Sequence, residues 1–117
     1  MKYFNYFEFD SPDVQGSGQL MDKEVLDLVD QVRELYGKPI HITSGYRTEA
    51  HNEKVGGRPG SSHLKGLAID VACTTSADRY RLIELFMLVG FNRIGVADTF
   101  IHVDLDKDKV QNVIWTY

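Results

Sequence analysis

The sequence contains a single cysteine, Cys73, and only three prolines among its 117 residues. A lone cysteine cannot close an intrachain disulfide, so the fold does not depend on disulfide bonds. Cys73 follows an apolar run from Leu67 to Ala72, and its neighbours Ala72 and Thr74 provide no activating base. This setting favours a buried structural thiol over a catalytic one.

Long apolar runs and a large excess of one charge are also missing. No apolar run reaches the ~18 residues that suggest a membrane-spanning helix. The formal net charge is -4 and no block of Lys and Arg occurs, which argues against a nucleic-acid partner. The segment Met1–Tyr6 has neither an apolar core nor a small-residue cleavage site. We therefore expect a monomer without a membrane segment or signal peptide, made in the cytoplasm.

The length and the absence of repeats predict a single domain over residues 1–117. Residues 1–20 are aromatic and then rich in Gly and Ser, which predicts an irregular segment. Apolar residues at helical spacing predict a helix over 21–36 that ends before Gly37. A short polar helix is expected over 47–55, and a third helix over 77–89, with Ser76 as its cap and Gly90 after its end.

Strands are expected over 39–45, 66–72, 92–97, 100–105 and 110–117. The order of helices and strands does not follow repeated βαβ units. It predicts an α+β fold with an antiparallel sheet and flanking helices.

Two of these strands carry side chains that can bind a metal. In the strand over 100–105, Ile101, Val103 and Leu105 share one face, so His102 and Asp104 lie on the other. Alternation in the strand over 66–72 likewise puts Asp70 opposite its apolar face. If both strands belong to one sheet, Asp70 and His102 can converge, and His63 can fold over them from the preceding loop. Two imidazoles and a carboxylate are three of the four ligands of a catalytic zinc ion, with the fourth position left for water.

Spacing alone supports such a site only weakly, and the zincin motif His-Glu-x-x-His is absent. However, Ser62 to Asp70 resembles the S-x-H-x-x-G-x-A-x-D signature of the M15 peptidases. The segments 43–48 (TSGYRT) and 52–57 (NEKVGG) are similar to the S-G-Y-R and N-x-x-V-G-G pieces of that family. The segment 100–104 (FIHVD) resembles its second zinc-histidine strand, and the pieces occur in the family's order over about residues 40–105.

The resemblance implies a hedgehog/DD-peptidase-like fold and a zinc ion held by His63, Asp70 and His102. It also implies that Arg47 binds a carboxylate or a carbonyl of the substrate, through paired hydrogen bonds. Ser62, next to a ligand, could bond the substrate or a carboxylate. Ser44 and Tyr46 are expected to be scaffold residues, and His51 is expected to be structural or exposed.

The general base is the point at which this sequence departs from the family. Several members carry an acid three residues before the second zinc histidine, and here that position is Thr99. Asp98 and Asp104 are the candidate acids. We favour Asp98, because an entry loop can bring it over the metal and it lies nearest to the family's acid position. Asp104 lies on the same face as His102, close enough to bond a metal-bound water or to support a metal ligand.

The resemblance implies zinc-assisted hydrolysis of an amide bond in peptidoglycan stem peptides, with a carboxylate as base and Arg47 orienting the substrate. The bond could be D-Ala–D-Ala, as in a carboxypeptidase, or an internal bond, as in an endolysin or murein endopeptidase. Without a signal peptide, release or delivery to the cell wall would be needed, as for a phage lysin. The alternative is a non-catalytic module that keeps the fold and zinc but only binds cell wall or protein.

Overall fold

The computed structural model describes all residues from 1 to 117. Its helices and strands alternate irregularly along the chain: α1 (Lys23–Tyr36), β1 (Ile42–Ser44), α2 (Glu49–Lys54), β2 (Ala68–Ala72), α3 (Ser76–Val89), β3 (Arg93–Val96), β4 (Phe100–Asp104) and β5 (Val113–Thr116). Three short 3-10 turns are formed by Tyr6–Phe9, Ser17–Leu20 and Ser62–Lys65. Each predicted helix and strand is therefore present, with ends that differ by at most three residues.

The ends of the two long helices follow local side-chain chemistry. The Asp22 carboxylate accepts the first free N–H groups of α1, and Gly37 ends that helix with a φ of 76°. The predicted cap of α3 is wrong by one residue. Thr75 accepts the backbone N–H of Asp78, and Ser76 is already helical, because the threonine hydroxyl performs the same capping role one position earlier.

The five strands form one sheet in the order β1-β2-β4-β3-β5. The first four pair antiparallel, as predicted, whereas β5 pairs with β3 in parallel. The sheet is therefore mixed. The chain from β4 to β5 crosses β3 and returns along its far edge, which a sequence pattern of alternating residues does not reveal.

The hydrophobic core lies on one face of the sheet. Ile69, Val71, Ile101 and Val103 are fully buried there and share one apolar cluster with residues of α1 and α3. Cys73 belongs to the same cluster, which confirms the predicted buried thiol. Alternation sends the polar residues of β2 and β4 to the opposite face. The α+β fold with flanking helices is confirmed, and none of its helices has the length and apolarity needed to cross a bilayer.

Candidate metal centre

Three side chains that can bind a metal meet on the polar face of the sheet. Asp70 of β2 and His102 of β4 are paired across neighbouring strands, and His63 reaches them from the 3-10 turn that precedes β2. Asp70 Oδ1 lies 2.9 Å from His102 Nδ1 and 3.3 Å from His63 Nε2. All three residues are buried, and their donor atoms lie within 4.8 Å of one another. The strand register thus brings the predicted trio together.

The orientation of His63 is fixed by a backbone carbonyl. Its Nδ1 lies 2.8 Å from the carbonyl oxygen of Gly45, at the end of β1. A carbonyl can only accept a hydrogen bond, so Nδ1 must carry a proton and donate it. In the neutral ring, Nε2 then directs a lone pair toward Asp70.

His102 lies between two carboxylates. Its Nδ1 faces Asp70, and its Nε2 lies 2.7 Å from Asp104 Oδ2. Burial would lower the pKa of His102, but the hydrogen bonds with Asp104 and Asp70 outweigh it and raise the pKa above 6.5. Burial would likewise raise the pKa of Asp70, yet hydrogen bonds from His102 and His63 hold it well below its usual range.

These contacts suit a cation placed between the three donor atoms. Without a cation, the ring nitrogen of each histidine that faces Asp70 must be protonated, because its lone pair would otherwise repel the carboxylate. A cation between the three groups would accept these nitrogen lone pairs, and both rings could then stay neutral. Ligands at 2.0–2.2 Å from a tetrahedral ion lie roughly 3.3–3.6 Å apart. The 3.3 Å between Asp70 and His63 lies in this range, and the 2.9 Å between Asp70 and His102 is shorter. Two nitrogens and one carboxylate oxygen are a donor set that suits zinc.

Asp104 is held in place behind His102 by three hydrogen bonds. Its Oδ2 bonds His102, while its Oδ1 accepts from Arg93 Nε at 2.8 Å and from the Asp106 backbone N–H at 3.0 Å. Its side chain is only 1% exposed. Burial would raise the pKa of Asp104, but the hydrogen bond with His102 and the other partners lower it. A carboxylate so engaged can orient a metal ligand.

Arg47 lies beside the trio and is fixed by three partners. Its guanidinium donates to Ser44 Oγ at 3.1 Å, to Asn52 Oδ1 at 3.2 Å and to Asp70 Oδ2 at 3.5 Å. A Cβ on Gly57 would lie 2.0 Å from Asn52 Oδ1, so only glycine leaves room for this amide. Three of the five guanidinium N–H groups are thereby used, and two remain for another acceptor.

Ser62 was expected to bond the substrate or a carboxylate, and the structure gives it a carboxylate. Its hydroxyl donates to Asp106 Oδ2 at 2.7 Å and accepts from Lys109 Nζ at 2.9 Å. Asp106 is 1% exposed and also bonds Lys65 at 3.1 Å. This cluster ties the turn that carries His63 to the chain after β4.

The other candidate residues lie apart from the trio. Asp98 is exposed in the turn between β3 and β4, where its backbone carbonyl accepts from Arg79 at 3.3 Å. His51 lies on α2, outside the trio, and is half-buried. Tyr46 packs against the hydrophobic core, in line with a scaffold role.

Sequence reasoning missed several supporting groups. Asn52 belongs to the N-x-x-V-G-G piece, but that motif does not indicate that its amide holds Arg47. No sequence pattern singles out Arg93 or the Gly45 carbonyl, since their roles depend on strand pairing and on a backbone atom. Arg93 stands opposite Asp104 in the register between β3 and β4, so knowledge of that pairing would have identified it.

The similarity of this chain to a known protein family covers most of its length. Among curated proteins no match was found. A family model described as Peptidase M15 matches residues 2–104, a span that includes the buried trio and Arg47. The chain therefore belongs to the M15 family of metallopeptidases.

Proposed function

We propose that this protein is a zinc-dependent hydrolase that cuts an amide bond in peptidoglycan stem peptides, acting as a single peptidase domain over residues 1–117. The observation that carries the proposal is the convergence of His63 Nε2, Asp70 Oδ1 and His102 Nδ1, all buried, in a chain of the M15 family. The remaining ring nitrogens of both histidines are already engaged, by Gly45 and Asp104. This leaves one nitrogen of each ring for a metal.

His63, Asp70 and His102 would hold the ion. When bound, zinc supplies Lewis-acid polarisation of a carbonyl and activation of a water molecule at neutral pH. The side chains around the ion would orient its ligands and supply positive charge for the substrate. Asp104 fixes the ring of His102, and Arg47 offers two unused N–H groups to a carboxylate or a developing oxyanion.

Asp98 is our candidate for the general base. Asp104 is the other candidate acid, but its two oxygens already bond His102, Arg93 and a backbone N–H. Asp98 is exposed, and its hydrogen bond with Arg79 uses the backbone carbonyl and not the carboxylate. A free carboxylate in the turn before the strand of His102 can take a proton from the attacking water and return it to the leaving amine.

Two types of bond fit this site. A D-Ala–D-Ala carboxypeptidase would use Arg47 for the terminal carboxylate of its substrate. An endopeptidase on the L-alanyl–D-glutamate bond would use it for the carboxylate of the glutamate residue. In both cases the chain would act on the cell wall after release from the cell that makes it, as phage lysins do.

Digestion of purified peptidoglycan tests this proposal. Zinc-loaded protein should release fragments that mass spectrometry assigns to one bond type, and a chelator should stop the release. His63→Ala should be inactive, whereas His41→Ala should retain activity because His41 is exposed and outside the trio. Specific binding to peptidoglycan without any fragments would instead indicate the non-catalytic module.

A further inference from the structure

The metal centre is bordered on one side by the only tryptophan of the chain, Trp115. Asp70, His102, Gly95 and Trp115 are successive partners across β2, β4, β3 and β5. They therefore form one row on the sheet. The Trp115 ring centroid lies 5.5 Å from that of His102, so the indole stands directly beside a proposed metal ligand.

Gly95 allows the indole to reach this position. An added Cβ on Gly95 would lie 2.7 Å from Trp115 Cε2 and Nε1. Any larger residue would force the indole out of its present position. Arg93 lies over the indole, with its guanidinium carbon 5.1 Å from the ring centroid. Glycine and arginine thus hold the indole in place, with Trp115 half-buried.

Phe100 and Tyr117 form a second aromatic pair on the same face of the sheet as Trp115. Alternation puts Tyr117 on the same side of the chain as Trp115. Its ring centroid lies 5.2 Å from that of Phe100. Arg47 lies on the other side of the trio, bonded to Asp70. A ligand across the metal centre would therefore meet a guanidinium at one end and an aromatic surface at the other.

We propose that Trp115, extended by Tyr117, is the apolar wall of the substrate site and selects an uncharged side chain over a charged one on the amino side of the cleaved bond. This inference rests on the proposed function. Both bonds considered above have alanine on their amino side and a carboxylate on the leaving residue. We place that carboxylate on Arg47, so that the residue on the amino side of the bond lies across the metal centre from Arg47, on the side of Trp115. The wall lies beyond residues 2–104, which the family model matches.

The test compares a cleaved stem peptide with the same peptide in which aspartate replaces that alanine. Wild-type protein should prefer the alanine peptide by about 10- to 200-fold in kcat/KM, the range that apolar pockets achieve. Trp115→Ala should reduce this ratio at least about tenfold, mainly through KM, and Trp115→Phe should restore most of it. Ile114→Ala is the matched control, because Ile114 is an exposed neighbour on the opposite face of β5. Its ratio should equal that of the wild type.

Fluorescence of Trp115 gives a second measurement that does not depend on turnover. An alanine peptide whose scissile amide is replaced by CH2–NH should shift the emission of zinc-loaded wild type, and the aspartate analogue should not. An unchanged emission, or an unchanged peptide preference in Trp115→Ala, would overturn the inference. Wild type that cleaves no peptidoglycan would refute the proposed function instead. The emission titration would then still decide whether the wall binds the alanine peptide.

Discussion

Asp104 stands behind His102 and away from Asp70, with its Oδ2 2.7 Å from the imidazole Nε2. One carboxylate thus faces each nitrogen of the same ring. The arrangement divides the two acids by role: Asp70 can share a metal with His102, whereas Asp104 sets the tautomer and the angle of the ring.

Asp104→Asn should weaken zinc binding. Loss of the charged acceptor leaves His102 less basic and less well oriented, and such changes typically cost about 10- to 100-fold in metal affinity. Competition with a chromogenic chelator measures the affinity. Asp108→Asn is the control, because the Asp108 side chain is 87% exposed, and it should bind zinc like the wild type. Full zinc affinity with strongly reduced turnover would indicate that Asp104 is the base.

Asp98→Asn should lower the catalytic rate and leave zinc affinity unchanged. If Asp98 is the general base, zinc stays bound while the rate falls by about 10²–10⁴-fold. Steady-state kinetics and metal analysis of the same preparation measure both quantities. Normal turnover with a full complement of zinc would exclude Asp98.

Zinc should stabilise the protein more at pH 8 than at pH 6. His102 has a raised pKa in the metal-free protein, so its proton stabilises the fold fully below about pH 6.5. That contribution is lost as the pH rises through the folded-state pKa. Zinc needs the neutral ring and must displace this proton at the lower pH. The increase in Tm on adding zinc should therefore grow with pH, while the Tm of metal-free protein should fall.

His41→Ala is the control for this pH dependence. His41 is exposed and outside the trio, so the variant should show the same trend. His102→Ala should abolish it. A zinc-induced stabilisation that is equal at both pH values would contradict the proposed ligand set.

Arg47→Lys should reduce kcat/KM by about 10- to 100-fold, the value of one or two hydrogen bonds to a charged group. Lysine keeps the positive charge near Asp70 but cannot reach several acceptors in a fixed plane. The Tm should change little. Arg58→Lys, at an exposed position, should match the wild type. A large loss of stability with unchanged turnover per folded molecule would make Arg47 a structural residue.

Local patterns predicted most of the fold, and contacts between distant segments explain what they missed. The alternation in β4 put His102 opposite the apolar residues Ile101 and Val103, and the structure has the same arrangement. The parallel pairing of β5 was not predictable, because it depends on how residues 105–112 turn back across the sheet. Trp115 became part of the site only through that pairing.

In the candidate site, too, the motif residues could be predicted and the groups that support them could not. The motif residues His63, Asp70 and His102 could be singled out because a resemblance supplied the pattern that spacing alone left weak. The support of those residues could not be predicted. The Gly45 carbonyl has no sequence signature, and the Asp104–Arg93 ion pair requires the register of two strands.

Ser62→Ala and Asp106→Asn should each destabilise the protein by about 1–3 kcal/mol, because a buried hydrogen-bonding group is left without its partner. Ser62 and Asp106 join the turn of His63 to the segment after β4 through a bond of 2.7 Å. Urea unfolding of metal-free protein measures the loss, and Ser76→Ala, at an exposed position, should cost much less. Peptide KM should stay unchanged in the folded fraction of Ser62→Ala. If instead KM rises while stability is intact, Ser62 binds substrate, and its bond to Asp106 is secondary.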